Sequence, residues 1–395
     1  MRKLRILAAV VVSALAAGCS SSGSTASAPT PTPSVTSSAP TPTPTPTPTR
    51  ARGTGLPGMP PVLDPHDIYA ADRPNNLSAV VRGDPRLVYV PNSDSDSVDV
   101  IDQKTMKIVA HYPVGNLPQH VVPSWDLKTL YATNDLGNSL TVFDPKTGHP
   151  GRTIPVADPY NMYFTPDGRN AIVVAERLRR LDFRDAHSMH LVESIDLACK
   201  GVDHADFSAD GRFAIFSCEF SGQLVKIDIA HRRVLGYLSL GARTAPQDVK
   251  TSPDGKVFYV ADMNSNGVWM IDPVRFKVLG FLHTGTEAHG LYVSRDSRYL
   301  YVSNRGEGSI SLIDLHTRRV TRKWRLTGGG SPDMGGVSAD GKVLWLSGRY
   351  NGVVYAISTV DGALLAKIRV GAGPHGLCVY PQPGRYSLGH TGVFR

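Results

Sequence analysis

Residues Leu300–Val343, LYVSNRGEGSISLIDLHTRRVTRKWRLTGGGSPDMGGVSADGKV, decide the fold. They read as four strand-like runs, Leu300–Ser303, Ser309–Asp314, Val320–Leu326 and Asp333–Ser338, followed by the turn Ala339-Asp340-Gly341-Lys342. Gly and Pro corners separate the runs, and none carries the period of a helix. At Leu344 the pattern starts again. Its copies begin at Leu87, Leu130, Ala171, Ala214, Phe258, Leu300 and Leu344, a spacing of roughly 43 residues. A repeat of this size marks stacked units, none of which buries its apolar face alone. Four short strands per unit make it the blade of a β-propeller.

The expectation is an all-β chain forming a seven-bladed β-propeller with four antiparallel strands per blade. Asp-Gly turns recur at Asp167-Gly168, Asp210-Gly211, Asp254-Gly255 and Asp340-Gly341, where Gly supplies the positive φ of a tight hairpin. The last innermost strand, Gly376–Tyr380, has no blade of its own to complete. It is expected to enter the first blade beside Leu87, which removes a free sheet edge. Residues Asp64–Arg82 and Arg385–Arg395 are left over for the seam, with Leu77–Val81 as a candidate extra strand.

These units carry a resemblance. Tyr301-Val302-Ser303-Asn304, Tyr131-Ala132-Thr133-Asn134 and Tyr89-Val90-Pro91-Asn92 resemble the signature of YVTN-type β-propeller repeat proteins, as do the Pro-Asp-Gly turns and Pro374-His375-Gly376. The resemblance covers nearly all of Leu87–Tyr386 and implies the propeller fold. Its wider relatives include the haem-binding propeller of nitrite reductases, amine dehydrogenase subunits and lactone-processing enzymes. A shared fold does not choose among these activities.

The start of the chain reads as targeting and tether. Arg2, Lys3 and Arg5 precede an apolar run, Ile6–Ala17, too short to serve comfortably as a mature anchor. Leu15-Ala16-Ala17-Gly18-Cys19 resembles a bacterial lipobox, which implies cleavage before Cys19 and lipid on its sulfur. An ordinary secretory signal with an incidental Cys19 is the alternative. Residues 19–60 are rich in Ser, Thr and Pro, with alternating Thr-Pro from Thr41 to Thr49, a composition that makes an extended spacer without a core. The expected organisation is therefore a signal peptide at 1–18, a lipidated Cys19 with a disordered linker to 60, and the propeller at 61–395. That places the protein outside the cytoplasm, on the outer face of the cell membrane, as a monomer.

The formal net charge of +8 is reduced once Arg2, Lys3 and Arg5 are removed, and no Lys/Arg block is interleaved with aromatics. Nucleic acid is not an expected partner. Of the four cysteines, Cys19 is assigned to lipid. Cys199 and Cys218 fall at the same rim of one blade, which makes a disulfide between them sterically reasonable. Cys378, inside Gly376-Leu377-Cys378-Val379-Tyr380, reads as a small buried hydrophobe. The chain has no Cys-x-x-Cys, no haem-attachment motif, no phosphate loop and no nucleophile elbow.

Innermost strands start, and second strands end, on the face opposite the Asp-Gly turns. Aligning the starts gives two columns. The first is Gln119, Tyr160, Asp203, Gln247, His289, Asp333 and His375; the second includes His120, Asn161, His204, Asp248 and Met334. Second-strand ends add Glu176, Glu219, Asp262, Arg305 and Arg349. The ligand-binding candidates are His120, His204, Gln247, His289, Arg305, Asp333, Arg349 and His375. Candidate catalytic groups are His289, His375, His204 and Glu219. Imidazole suits both metal binding and general-base work. The plainer reading is that these histidines hydrogen-bond backbone groups at the blade openings. Alternation along a strand leaves open whether His120 and His375, from different columns, point the same way. Arg305 and Arg349 would clamp a carboxylate or phosphate, or be neutralised by Glu219 and Asp262.

Three functions fit. The first is a surface protein binding a small-molecule or protein ligand at the channel mouth. The second is an extracytoplasmic enzyme, a metal-assisted hydrolase or lactonase-like. The third is a haem-linked or other redox propeller, holding a haem or taking electrons from a partner. The sequence names no cofactor.

Overall fold

The computed structural model describes residues 55–390 and 393–395. Cys19, the signal segment and most of the linker lie outside these described residues. Seven four-stranded antiparallel sheets are present, one per blade. Six are built from consecutive strands, such as Val202–Phe207, Phe213–Cys218, Gln223–Asp228 and Arg233–Ser239 in the fourth blade. The first blade combines Leu87–Asn92, Ser97–Asp102 and Lys107–Pro113 with Cys378–Tyr380 from the far end of the chain. Leu87 pairs with Tyr380, Val88 with Val379 and Tyr89 with Cys378. The ring closes as expected, through a shorter strand than Gly376–Tyr380. Gln103 secures the seam by donating to Leu87 O (2.9 Å) and Tyr380 O (3.0 Å).

Burial follows position in the blade. Second strands such as Leu130–Asn134 are buried throughout, whereas the outer strand Arg233–Ser239 alternates exposed and half-buried residues. The inner strands are packed on both faces by neighbouring blades, so their side chains make the core between sheets. Tyr89, Val100, Val121, Leu130 and Phe143 form one such inter-blade cluster.

The repeat motifs have local causes. In each Asp-Gly turn a hydroxyl and a carboxylate hold the corner: Ser208 Oγ donates to Asp210 Oδ1 (2.7 Å), and Gly211 adopts φ +68°. The Asp that closes the third strand accepts from the backbone beyond it. Asp314 Oδ1 takes His316 N (3.1 Å) and Thr317 N (2.8 Å), which fixes the turn into the outer strand and lowers the Asp314 pKa. The motif Asn ties second strand to third: Asn304 Nδ2 donates to Ser309 Oγ (2.9 Å) and Ser311 Oγ (3.0 Å).

Cys199 and Cys218 form a disulfide, and Cys378 is a buried free thiol. Leu77–Val81 does not form a strand; Leu77 makes a single bridge to Gly384, and the flanking turns turn the chain away. Near the start of the described residues, Leu56 N–H donates to Asp210 O (2.8 Å). The C-terminal segment folds under the ring from the Asp-Gly side. Tyr386, Leu388 and Val393 join the core shared by blades three and four, and Arg395 Nη2 donates to Asp206 Oδ1 (2.8 Å). Leu388 N donates to Val393 O, making a hairpin whose described tip, His390, bonds through its N–H to Met162 O in the channel wall. No described helix is long and apolar enough to cross a membrane.

Candidate functional site

In five of the seven blades the two columns are the two residues of a β-bulge; in the third, Asn161 pairs directly with Val174 and the register has no shift. In the second blade Pro118 pairs with Asn134 and Val121 with Ala132, so Gln119 and His120 together oppose Thr133 alone. The same shift places Asp203–His204, Gln247–Asp248, His289–Gly290 and Asp333–Met334 opposite single residues. A second-strand hydroxyl clamps four of these bulges. Thr133 accepts from His120 N (3.1 Å), Ser217 from His204 N (3.0 Å), Ser303 from Gly290 N (2.8 Å) and Ser347 from Met334 N (3.2 Å). This is the structural work of the Ser/Thr in the repeat motif. It also overturns simple alternation, because the extra residue at these five strand starts brings residues of both columns, such as His120 and His289, to the channel.

Four predicted histidines therefore meet. Ring centroids lie 4.8 Å apart for His120–His375, 5.4 Å for His120–His204, 6.2 Å for His204–His289 and 6.1 Å for His289–His375. A fifth, His390, comes from the tail hairpin, 4.8 Å from His204 and 5.2 Å from His120. Sequence reasoning missed His390 because it follows the last repeat; its setting between Gly389 and Gly392 was the available signal. Glycine is required opposite the nest: a Cβ on Gly376 would lie 1.9 Å from His120 Nδ1.

Burial pushes His120, His289, His375 and His390 well below the usual imidazole range, helped by neighbouring positive groups. His204 differs. Burial pulls it down too, but the Asp203 carboxylate, 2.6 Å from its Nδ1, leaves it raised. That contact is close without being aligned: neither ring nitrogen of His204 has a hydrogen-bond partner. Both nitrogens of His120, both oxygens of Asp203, Asp333 Oδ2 and Arg349 Nη1 are likewise buried and unpartnered. Burial raises Glu219 to about 7 and Glu176 to about 8, with the Asp203 charge adding to both.

The remaining candidates divide. Asp333 joins the nest, 3.1 Å from His289 Nδ1 and 3.3 Å from Arg305 Nη1. Arg305 is thus neutralised by Asp333 and Glu287 (3.4 Å), not by Glu219, and does not stand free for an anion. Asp262 is also turned elsewhere, accepting from Trp269 Nε1 (2.8 Å) and Ala245 N (3.0 Å) inside its blade. Gln247 donates to Ala245 O (3.2 Å). Gln119, named only as a column member, holds His375 Nδ1 at 3.0 Å. Arg349 borders a surface depression lined by Asp94, Tyr350 and Arg369, with one guanidinium nitrogen buried.

A circular array of blades that gathers titratable groups at one end of its axis defines a propeller with an axial polar site. The family model of the YNCE-like beta-propeller matches residues 58–384, and the chain belongs to that family. No curated protein matches it in sequence. Among solved structures, Kuenenia stuttgartiensis hydrazine synthase is 21% identical, with a TM-score of 0.60 over 72% of this chain and 97% of that one. A putative 6-phosphogluconolactonase from Bacteroides fragilis is 17% identical, with a TM-score of 0.61 over 77% of this chain and all (100%) of the other. The dihydro-heme d1 dehydrogenase NirN is 17% identical, with a TM-score of 0.56 over 77% of this chain and 76% of its own. These likenesses establish the fold and leave the activity to the site.

Proposed function

We propose that the chain is an extracytoplasmic, lipid-anchored propeller that binds a small ligand inside the mouth of its channel. The observation that carries this reading is the convergence of five imidazoles with unpartnered buried polar atoms on His120, His204, Asp203, Asp333 and Arg349. Buried polar groups are normally hydrogen-bonded, and leaving one unmade costs about 1–3 kcal/mol. A site that concentrates such deficits is built to be completed by something else. The basic start, Cys19 and the Thr-Pro tract support the anchor and spacer. A porphyrin suits the nest poorly. Its imidazoles pack against one another at 4.8–6.2 Å, and none stands open beneath a flat macrocycle.

A hydrolytic or lactone-opening activity is the second reading. It is favoured by His289 and Asp333, an imidazole–carboxylate pair at 3.1 Å of the kind that orients a general base.

The test uses full-length protein extracted from membranes in detergent. Native mass spectrometry with and without chelator should reveal a bound species. Thermal unfolding with Zn²⁺, phosphate or citrate should show a stabilisation that His120→Ala abolishes. A protein that carries no extra mass and responds to none of these probes sinks the ligand reading. Cys19→Ser should move the protein from the membrane to the soluble fraction; if it stays, the anchor is wrong. A panel of lactones and esters tests the second reading, with turnover expected to fall in His289→Gln.

A further inference from the structure

We propose that His120, His204 and His390 bind one first-row transition-metal ion of the zinc or copper class, and that this ion pins the C-terminal hairpin into the channel. The inference rests on the channel being a ligand site and names its occupant. One ring nitrogen from each residue lies within 4.8 Å of the others, and all three side chains are buried. A tetrahedral ion with bonds of about 2.0–2.1 Å needs its ligands about 3.4 Å apart, so small ring movements close the site. Both nitrogens of His120 and of His204 lack partners, which leaves ligating atoms in place. An all-imidazole set suits zinc, copper, iron or nickel rather than magnesium and calcium, which take oxygen ligands, and zinc and copper bind such a set most tightly among the common ions.

Two carboxylates offset a dication here, against the positive charges of Arg349 near His120 and Lys250 near His390. Asp203 Oδ1 lies 2.6 Å from His204 Nδ1, and Asp248 Oδ1 lies 3.7 Å from His390 Nε2. Asn161 Nδ2 sits 3.0 Å from His390 Nδ1. Asn161 Nδ2 is a donor on Nδ1, so for His390 Nε2 to hold the ion the amide turns over and its Oδ1 accepts from Nδ1–H. A carboxylate or carbonyl so placed behind an imidazole fixes the ring and raises its basicity toward a metal. Asp248 is itself held by Val249 N and Leu291 N, each at 2.8 Å. The neighbouring group of His289, Asp333 and His375 is a poorer host. Asp333 is engaged by Arg305, His375 by Gln119, and His289 Nδ1 by the Met334 sulfur (3.1 Å). A guanidinium bound to the one carboxylate opposes a second cation there.

Two ligands belong to the ring and the third to the tail, so the ion would join the tail to the blades. Detergent-extracted full-length protein, stripped with chelator, is titrated with Zn²⁺ in a calorimeter and with Co²⁺ by visible absorption. One ion per chain is expected, with the intense bands of tetrahedral Co²⁺. His390→Ala should weaken Zn²⁺ binding more than the roughly 10–100-fold expected for Asp203→Asn, while His289→Ala stays within a few-fold of the parent. Zn²⁺ should slow tryptic cleavage after Arg385, and His390→Ala should abolish that protection without changing the circular dichroism of the ring. Binding that survives His120→Ala and His390→Ala but is lost in His289→Ala overturns the assignment. So does a nest filled only by water, with no Zn²⁺ uptake and an unchanged melting temperature. In that case a response to phosphate or citrate would leave the broader ligand reading standing, and silence to every probe would remove both.

Discussion

The two ends of the innermost strands follow opposite rules. At the Asp-Gly end, each corner closes its own hydrogen bonds: Ser252 donates to Asp254 (2.6 Å), Ser338 to Asp340 (2.6 Å) and Thr165 to Asp167 (2.6 Å). At the bulge end the backbone is clamped just as carefully, yet His120, His204 and Asp203 are left with open valences. One end is repeated because it holds the ring together. The other varies from blade to blade, and its deficits locate the chemistry. A second contrast lies beneath the ring, where Asp72 is buried by the tail with Oδ1 unpartnered, an exception shared with Ser78 Oγ and Arg385 Nε on the better-satisfied side.

That exception gives the largest expected effect. Burial raises the Asp72 carboxyl from 3.8 to about 7. A folded-state value above the unfolded one favours folding while the group is protonated. The contribution is complete below about pH 4 and is lost as the pH rises through 7. Asp72→Asn should match the parent at pH 4 and exceed it at pH 8, by on the order of 4 kcal/mol at about 1.4 kcal/mol per unit. Parallel denaturation curves at both pH values would contradict the assignment.

Next comes the bulge clamp. Ser217 accepts from His204 N (3.0 Å) and donates to His204 O (3.2 Å). Ser217→Ala should cost about 2–4 kcal/mol in chemical denaturation, since two buried backbone groups lose their partner. Gly376→Ala should follow at about 1–3 kcal/mol, because its methyl collides with His120 Nδ1. It should also impair whatever the nest binds. At the other strand end Ser208→Ala removes two part-buried turn bonds, to Asp210 Oδ1 and from Phe213 N, and should cost only about 1 kcal/mol because their partners lie nearer solvent. The smallest effect sharpens the contrast most. His120→Leu removes two unpartnered buried nitrogens, so the chelator-treated protein should be unchanged or more stable by up to about 1 kcal/mol. A loss of several kcal/mol would show that His120 is an ordinary structural histidine.

The fold was legible because repetition averages over blades. The Asp-Gly turns, the strand-ending Asp and the Tyr-x-Ser/Thr-Asn motif each encode a local hydrogen-bond pattern, and seven copies expose the ring. The disulfide was legible from the shared rim of its partners. The site was half legible. Aligned strand starts placed Gln119, His120, Asp203, His204, His289, Asp333 and His375 at one mouth. Side-chain direction was not readable, because a period of two assumes one residue opposite one, and each bulge places two there. Asp262 was mispaired because its partner Trp269 sits outside the columns, and Arg305 because it takes Glu287 from outside them and Asp333 from the next blade's strand start. His390 and the failed strand at Leu77–Val81 belong to segments outside the repeat, where no neighbouring copy supplies a register.

Ring closure also has a timing. Leu87–Asn92 leaves the ribosome early, whereas its partner Cys378–Tyr380 emerges only after all seven second strands have been made. At translation rates of about 5–20 residues per second the gap is roughly 15–60 s. Throughout that interval the Leu87 strand has one bare flank, a template for pairing with a stranger. A nascent chain of this design depends on being shielded, or kept unfolded, until its last stretch arrives.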